Sequence, residues 1–291
     1  MSAFLEAVAN QSFMQYALLT GVLAGVACGV VGTYVTVRRI SYLAGAIAHS
    51  ILGGMGAALF LQKSAGMAWF HPLYGAVLSG LLAAVVIGWV TLRAREREDT
   101  VIGAIWALGM AVGILLIYRT PGYNQDVMSY LFGNILLVTQ RDIWLIAVLD
   151  LLVILLGSLF YRQFQAVCFD EEFARIRGLP VDGVYLLLLC LTALTVVLLV
   201  TVVGIVMVIA LLTLPAATAG LLSRTLRRMM LLAVFFSILF TTVGLAVSYE
   251  PDLPPGATII VTAGVTYIIT LTATRLAGRR RGKKPIEEAA P

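Results

Sequence analysis

The chain has 291 residues, 60% hydrophobic and only 12% charged, with a mean hydropathy of +0.98 and a net charge of +5. A soluble domain is roughly a quarter charged and less than half apolar, so this composition excludes a soluble globular enzyme and a disordered chain. Cys28, Cys168 and Cys190 are too few and too scattered for a disulfide scaffold, which leaves an all-α polytopic membrane protein with no large extramembrane domain.

In chain order, Met1–Met14 carries Glu6 and neither Lys nor Arg, lacks the marks of a secretory signal, and reads as an N-terminal segment, residues 1–14. The first apolar run, about Gln15–Val37, is a retained span. Gly21, Gly25 and Gly29 give it two overlapping GxxxG steps, which mean close helix packing. Further runs follow at Tyr42–Leu61, His71–Leu92, Thr100–Tyr118 and Ile143–Tyr161. The stretch Val184–Ser223 is too long for one crossing and predicts two helices joined by a tight turn near Gly204. Met229–Val247 and Ala257–Leu276 complete eight or nine transmembrane helices, a membrane domain over residues 15–276 followed by a basic tail, 277–291.

Lys and Arg placement orients the spans. Arg38/Arg39, Arg93/Arg95/Arg97, Arg162/Arg175/Arg177, Arg224/Arg227/Arg228 and the tail Arg279-Arg280-Arg281-Gly-Lys283-Lys284 fall on alternate loops, which marks that face as cytoplasmic. The opposite loops hold Lys63, Arg119 and Arg141 against Asp126, Asp142, Glu250 and Asp252. Nine spans then place the N-terminus outside and the C-terminus inside. Basic residues so distributed read as topology and contact with anionic membrane lipid, not as a nucleic-acid surface.

Ionisable residues deep in a span are costly and therefore informative. His49 shares one helix face with Gly45 and Gly53, an imidazole with small neighbours that suits either a divalent-metal ligand or a packing helix. Asp150 is the other deep ionisable group, a cation ligand or a polar partner for another span. His71 opens a span at the outer face, where it could receive an ion. Pro215 interrupts the backbone bonding of the Gly204–Pro215 segment, which lines a pathway or merely kinks.

Between spans, Phe169, Phe173 and Ile176 recur at i, i+4 and i+7, with carboxylates at the start, arginines at the end and Gly178 before Pro180. That pattern predicts a short amphipathic cytoplasmic helix over 169–178, docked on a protein in preference to lipid. Phosphate-loop, Cys-x-x-Cys and H-E-x-x-H motifs are absent, so ATP-driven work would need hydrolysis by another chain.

Taken together these segments resemble a known family. Arg38-Arg39-Ile-Ser-Tyr42-Leu-Ala-Gly45-Ala-Ile-Ala-His49 resembles the opening of the second span in bacterial ABC permeases for zinc, manganese or iron. Ser129-Tyr130-Leu131-Phe132-Gly133-Asn134 is similar to their S-Y-L-F-G-D stretch, and Val203-Gly204 through Pro215-Ala-Ala-Thr218-Ala to their V-G-x-L-x-x-x-x-L-L-x-x-P-A-A-T-A block. Tyr249–Gly256 resembles their last outer loop, and the likeness, strongest to zinc-uptake members, runs from about residue 15 to 275.

The resemblance implies an inner-membrane permease subunit that is not itself an enzyme and binds no cofactor covalently. It implies a separate ATP-binding subunit, an external metal-binding solute-binding protein, and a second permease chain, in a homodimer first with a heterodimer as the alternative. The cargo would be a divalent metal ion, zinc first, with manganese, iron or a metal chelate as the alternative. His49 and His71 become metal ligands, Gly45, Gly53, Asp150 and Pro215 join His49 on the substrate pathway, and Phe169, Phe173, Ala174, Ile176 and Gly178 form the ATPase docking surface. Gly45 and Asn134 stand where members carry Asp, which leaves His49 with no carboxylate one turn away. An ATP-independent cation carrier, with Asp150 in a proton relay, is the reading from a different class.

Overall fold

The computed structural model describes residues 2–64, 66–67, 69–93, 98–121, 133 and 135–281. Its regular elements are all helical: α1 (Ser2–Asn10), α2 (Ser12–Val37), α3 (Ser41–Ser64), α4 (Pro72–Arg93), α5 (Glu98–Arg119), a 3-10 turn (Ile135–Leu137), α6 (Gln140–Leu159), α7 (Tyr161–Phe169), α8 (Glu171–Ile176), α9 (Val181–Val203), α10 (Ile205–Leu222), α11 (Leu226–Tyr249) and α12 (Pro255–Arg281). Nine helices among the described residues, α2–α6 and α9–α12, are long and apolar enough to cross a membrane. The Ser129–Phe132 segment, Asn134 and the end of the basic tail lie outside the described residues.

The sequence expectation differs from the fold at the N-terminus. Residues 2–10 are helical, with Phe4 and Ala7 buried and the Phe4 ring edge-on to Tyr249 at 6.0 Å. The Gln15 amide donates to the carbonyls of Val8 and Ala9 (3.0 and 3.3 Å), closing the end of α1. The span therefore begins at Ser12, slightly earlier than the hydropathy alone suggests.

Gly204 is the break in the long apolar stretch. Its φ of +85° is open to glycine but costly for a residue with a Cβ, and it separates α9 from α10. Gly133, also left-handed at +62°, packs against this break so closely that a Cβ there would overlap the Val203–Gly204 peptide. Pro215 does not break α10, which runs on through it.

Glycine sets how closely the central helices approach. On α2, Gly21, Gly25 and Gly29 face Thr241, Ile238 and Val234 of α11, and Gly32 packs against the Leu212 carbonyl of α10. On α3, Gly53 and Gly56 face Gly109 and Gly113 of α5, while Gly54 meets Gly75 of α4. Small residues let backbones come together where lipid offers no hydrophobic drive for helix association. α3 is the most enclosed of the nine and α12 the least.

One end of the bundle collects the arginine-rich connections. Arg38, closing α2, pairs with Glu171 of α8 and stacks over the Tyr185 ring of α9 at 5.4 Å. Arg175 of α8 pairs with Asp182 at 2.7 Å, and Arg227 lies over the Tyr161 ring at 5.2 Å. These contacts join the 38–40, 161–182 and 223–228 connections, as the alternation of Lys and Arg along the sequence requires.

Candidate functional site

His49 occupies the middle of α3 and is 9% exposed. Its Nδ1 is buried with no hydrogen-bond partner, an arrangement that costs free energy unless a ligand or proton engages it. The imidazole stacks on the Trp106 ring of α5, with centroids 4.6 Å apart and planes at 21°. The space anticipated beside the imidazole is filled: a Cβ on Gly45 would lie 2.6 and 2.9 Å from two Trp106 ring carbons, and one on Gly53 would lie 2.8 Å from the Gly109 carbonyl oxygen. Gly45 and Gly53 thus form the contact with α5 and open no channel within this subunit.

Asp150 is 5% exposed on α6, with neither carboxyl oxygen in a well-formed hydrogen bond. It faces Ala27 and Cys28 of α2, so it belongs to the α2–α6 contact and is not brought to His49. Nearby, the Tyr34 hydroxyl donates to the Gly157 carbonyl at 3.2 Å across the same contact. Pro215 is buried on α10, whose neighbouring Leu212 carbonyl is pressed into Gly32 of α2. That places the Pro215 region in the packing between α10 and α2.

His71 is exposed at the start of α4, where its Nδ1 accepts from the Leu73 N–H at 3.2 Å. It borders a cavity of about 650 Å³ that also touches Met55, Thr139, Asp142 and Thr201. The Asp142 carboxylate is committed to capping α6, accepting from the Thr139 N–H and hydroxyl at 2.9 and 2.6 Å. Met55 sits six residues along α3 from His49, about 9 Å along the axis at 1.5 Å per residue. His71 borders a cavity toward the Met55 end of α3 while His49 lies deeper along the helix, so the two do not share a site. Among the described residues there is no group of three or more His, Cys, Asp or Glu side chains that could hold a metal ion.

At the other end, α8 begins at Asp170, whose carboxylate accepts from the Phe173 N–H at 2.9 Å, a cap of about 1 kcal/mol. Phe169, Phe173 and Ile176 are exposed at 65%, 52% and 83%, an apolar ridge turned away from the bundle. Ala174 points the other way and is buried at 1%, so it seats the helix on the bundle and is unavailable to a docking partner. Gly178, at φ +76°, ends the element, its N–H donating to the Arg175 carbonyl at 3.0 Å. Burial pushes the thiol of Cys168, on α7, up to about 12, despite the Arg38 charge.

Trp106, Gly109 and Gly113 are absent from the sequence reading of the site. Gly109 and Gly113 form a GxxxG step on α5, and Trp106 lies one turn before them on the same face. That spacing was the available signal.

Fold and site together define a multi-pass helical membrane protein with one deep histidine and a short helix beside an exposed apolar ridge. Residues 10–274 match the ABC 3 transport family. The chain belongs to that family and is a membrane permease subunit of it. It is 44% identical over 263 residues to an uncharacterised membrane protein of Synechocystis sp., covering 90% of this chain and 91% of that one. It is 34% identical over 269 residues to the manganese transport system membrane protein MntC of Halalkalibacterium halodurans, covering 92% and 90%. A chain of PsaBC from Streptococcus pneumoniae, solved in complex with a Fab, superposes with a TM-score of 0.81 at 30% identity, covering 92% of this chain and 94% of that one.

Proposed function

We propose that the chain is the permease of an ATP-driven importer of divalent metal ions, with zinc as the cargo. The observation that carries this is His49, a buried imidazole with a free Nδ1 on the most enclosed helix of a family permease. In this reading residues 15–276 are the membrane domain, residues 1–14 lie outside, and the tail 277–291 lies in the cytoplasm against anionic lipid. A solute-binding protein delivers the ion to the end that holds His71, and the ion passes Met55 to reach His49. A second copy of the chain supplies an equivalent histidine.

The ridge Phe169–Phe173–Ile176 would enter a separate ATP-binding subunit. Glu171 on the same helix pairs with Arg38, three residues before α3 begins, so displacement of α8 bears on the base of the helix that carries His49. The ATPase thus reaches the base of α3 through two side chains. The chain makes no covalent bond and needs no bound cofactor for this work.

Zinc is preferred because imidazole suits it and no carboxylate accompanies His49. Manganese is the second reading, favoured by the name of the MntC relative. Total cell metal, measured element by element in strains with and without the chain under metal limitation, separates them. Loss of zinc alone supports the first, loss of manganese alone the second, and unchanged metals in a strain without other importers reject both. Phe173→Asp should leave the purified chain as stable as the parent but abolish co-purification of the ATPase and uptake. Retention of both would remove α8 from the docking role.

A further inference from the structure

The α3–α5 contact is backbone against backbone at Gly53–Gly109 and Gly56–Gly113. One large side chain interrupts this pattern, and it lies on the histidine. We propose that Trp106 is the residue that sets which ion the His49 site accepts. It does so by fixing the imidazole and by filling the volume through which a carboxylate at position 45 would reach the ion. The inference rests on the reading of His49 as a ligand of the cargo.

The stacking leaves the coordinating edge free. Ring nitrogens bond in the plane of the imidazole, whereas Trp106 covers its face at 4.6 Å, so the unpartnered Nδ1 is held in orientation without being blocked. A metal-bound imidazole is electron-poor, and the electron-rich indole face stabilises it more than it stabilises the free ring. The contact is thus stronger when the ion is bound.

Position 45 supplies the second half of the argument. It lies one turn before His49 on the same face, the spacing at which two side chains can share an ion. An ideal Cβ there comes within 2.6 Å of the indole, so a side chain at 45 and the indole in its observed position exclude each other. The helix can carry a carboxylate–imidazole pair or a tryptophan–imidazole stack, and this chain has the stack. Oxygen donors select harder ions such as manganese, and imidazole alone tolerates zinc and its neighbours. Trp106 therefore acts as a selectivity residue by what it excludes as well as by what it holds. It is not needed to join the helices, since the glycine pairs beyond it do that.

The test uses the full chain with its own ATPase and binding protein, in cells lacking other zinc and manganese importers. Cell zinc and manganese are measured after growth with the two metals limiting and equimolar. Trp106→Phe, which keeps a ring, should hold the parental zinc-to-manganese ratio within about twofold. Trp106→Leu and Trp106→Ala should lower it roughly three- to tenfold, the loss of one aromatic stack. Gly45→Asp alone should lose uptake of both metals, because the indole occupies its space. Gly45→Asp combined with Trp106→Ala should recover uptake with the ratio turned toward manganese. The parental ratio in Trp106→Leu and Trp106→Ala, or full uptake by Gly45→Asp beside an intact Trp106, overturns the proposal. If the single Trp106 variants do not assemble, the double variant decides: recovery of assembly and a ratio turned toward manganese support the exclusion of one side chain by the other, and failure refutes it. A parent chain that alters neither metal would instead sink the metal-import reading itself, which keeps the two failures apart.

Discussion

Two helices in this bundle carry glycine at helical spacing, and they use it differently. α2 lays Gly21, Gly25 and Gly29 against α11, where each meets a side chain as well as, in two cases, backbone. α3 lays Gly53 and Gly56 against glycines of α5, so main chain meets main chain and nothing in the contact can rotate away. The first contact is graded along its length and the second is rigid. A glycine stripe reports that something comes close. Its partner decides how much error the contact tolerates, and in α3 the rigid contact is also the one that positions the histidine.

The sharpest break in that comparison is Gly109→Ala. The new Cβ would fall 2.6 Å from Ser50 Cα and 3.2 Å from the His49 carbonyl oxygen, and no side chain can yield. Separating α3 from α5 would also loosen the contacts at Gly53, Gly56 and Gly113. We expect a loss of more than about 3 kcal/mol, seen as a large drop in the melting temperature of the detergent-solubilised chain, together with loss of uptake. A melting temperature at the parental value would mean that α5 is free to shift, and the contact would not be rigid.

Gly29→Ala tests the tighter end of the α2–α11 contact. Its Cβ would meet the Val234 Cα and N, each at 2.6 Å, so we expect a loss of about 2–3 kcal/mol with the zinc-to-manganese ratio of the cells unchanged. Adding Val234→Ala should give little recovery, since the obstruction is main chain. Substantial recovery would make this contact side-chain-limited throughout its length.

The two contacts also differ in how far they can be read from sequence. The nine spans and the turn at Gly204 were legible because desolvation of twenty apolar residues leaves few alternatives, and because glycine is open to a φ of +85°. The apolar pattern and charge order over 169–178 predict one amphipathic helix, whereas Phe169 ends α7, extended Asp170 breaks the run, and α8 covers only Glu171–Ile176; the inward turn of Ala174 was not legible, since a small residue fits either face. Residues 2–10 carried no hydropathy signal long enough for a span, and the contact that Phe4 makes with Tyr249 at the end of α11 is a long-range one that no local pattern shows. His49 stood out as a deep titratable group. Trp106 did not, because its importance comes from Gly45 lying opposite, and pairing between helices 61 positions apart is not written in the period of either.

Gly21→Ala should show the smallest effect. Its Cβ would overlap only the Thr241 side chain, chiefly the Cγ2 methyl. Turning Thr241 about χ1 would clear the methyl, but the hydroxyl now donates to the Ser237 carbonyl at 2.8 Å and would have to leave it or change partner. Losing that bond costs about 0.5–1.5 kcal/mol, while alanine in place of glycine returns roughly 0.8–1.0 kcal/mol of helix propensity. The two nearly cancel, so the melting temperature should stay close to the parental value. Gly21→Ala with Thr241→Ser removes the offending methyl and keeps the hydroxyl, and should melt at or above the parent. If the double variant is no better than Gly21→Ala alone, Thr241 is not the obstruction. The α2–α11 contact would then be limited by main chain at Gly21 as it is at Gly29, and the contrast with α3 would reduce to the one tryptophan.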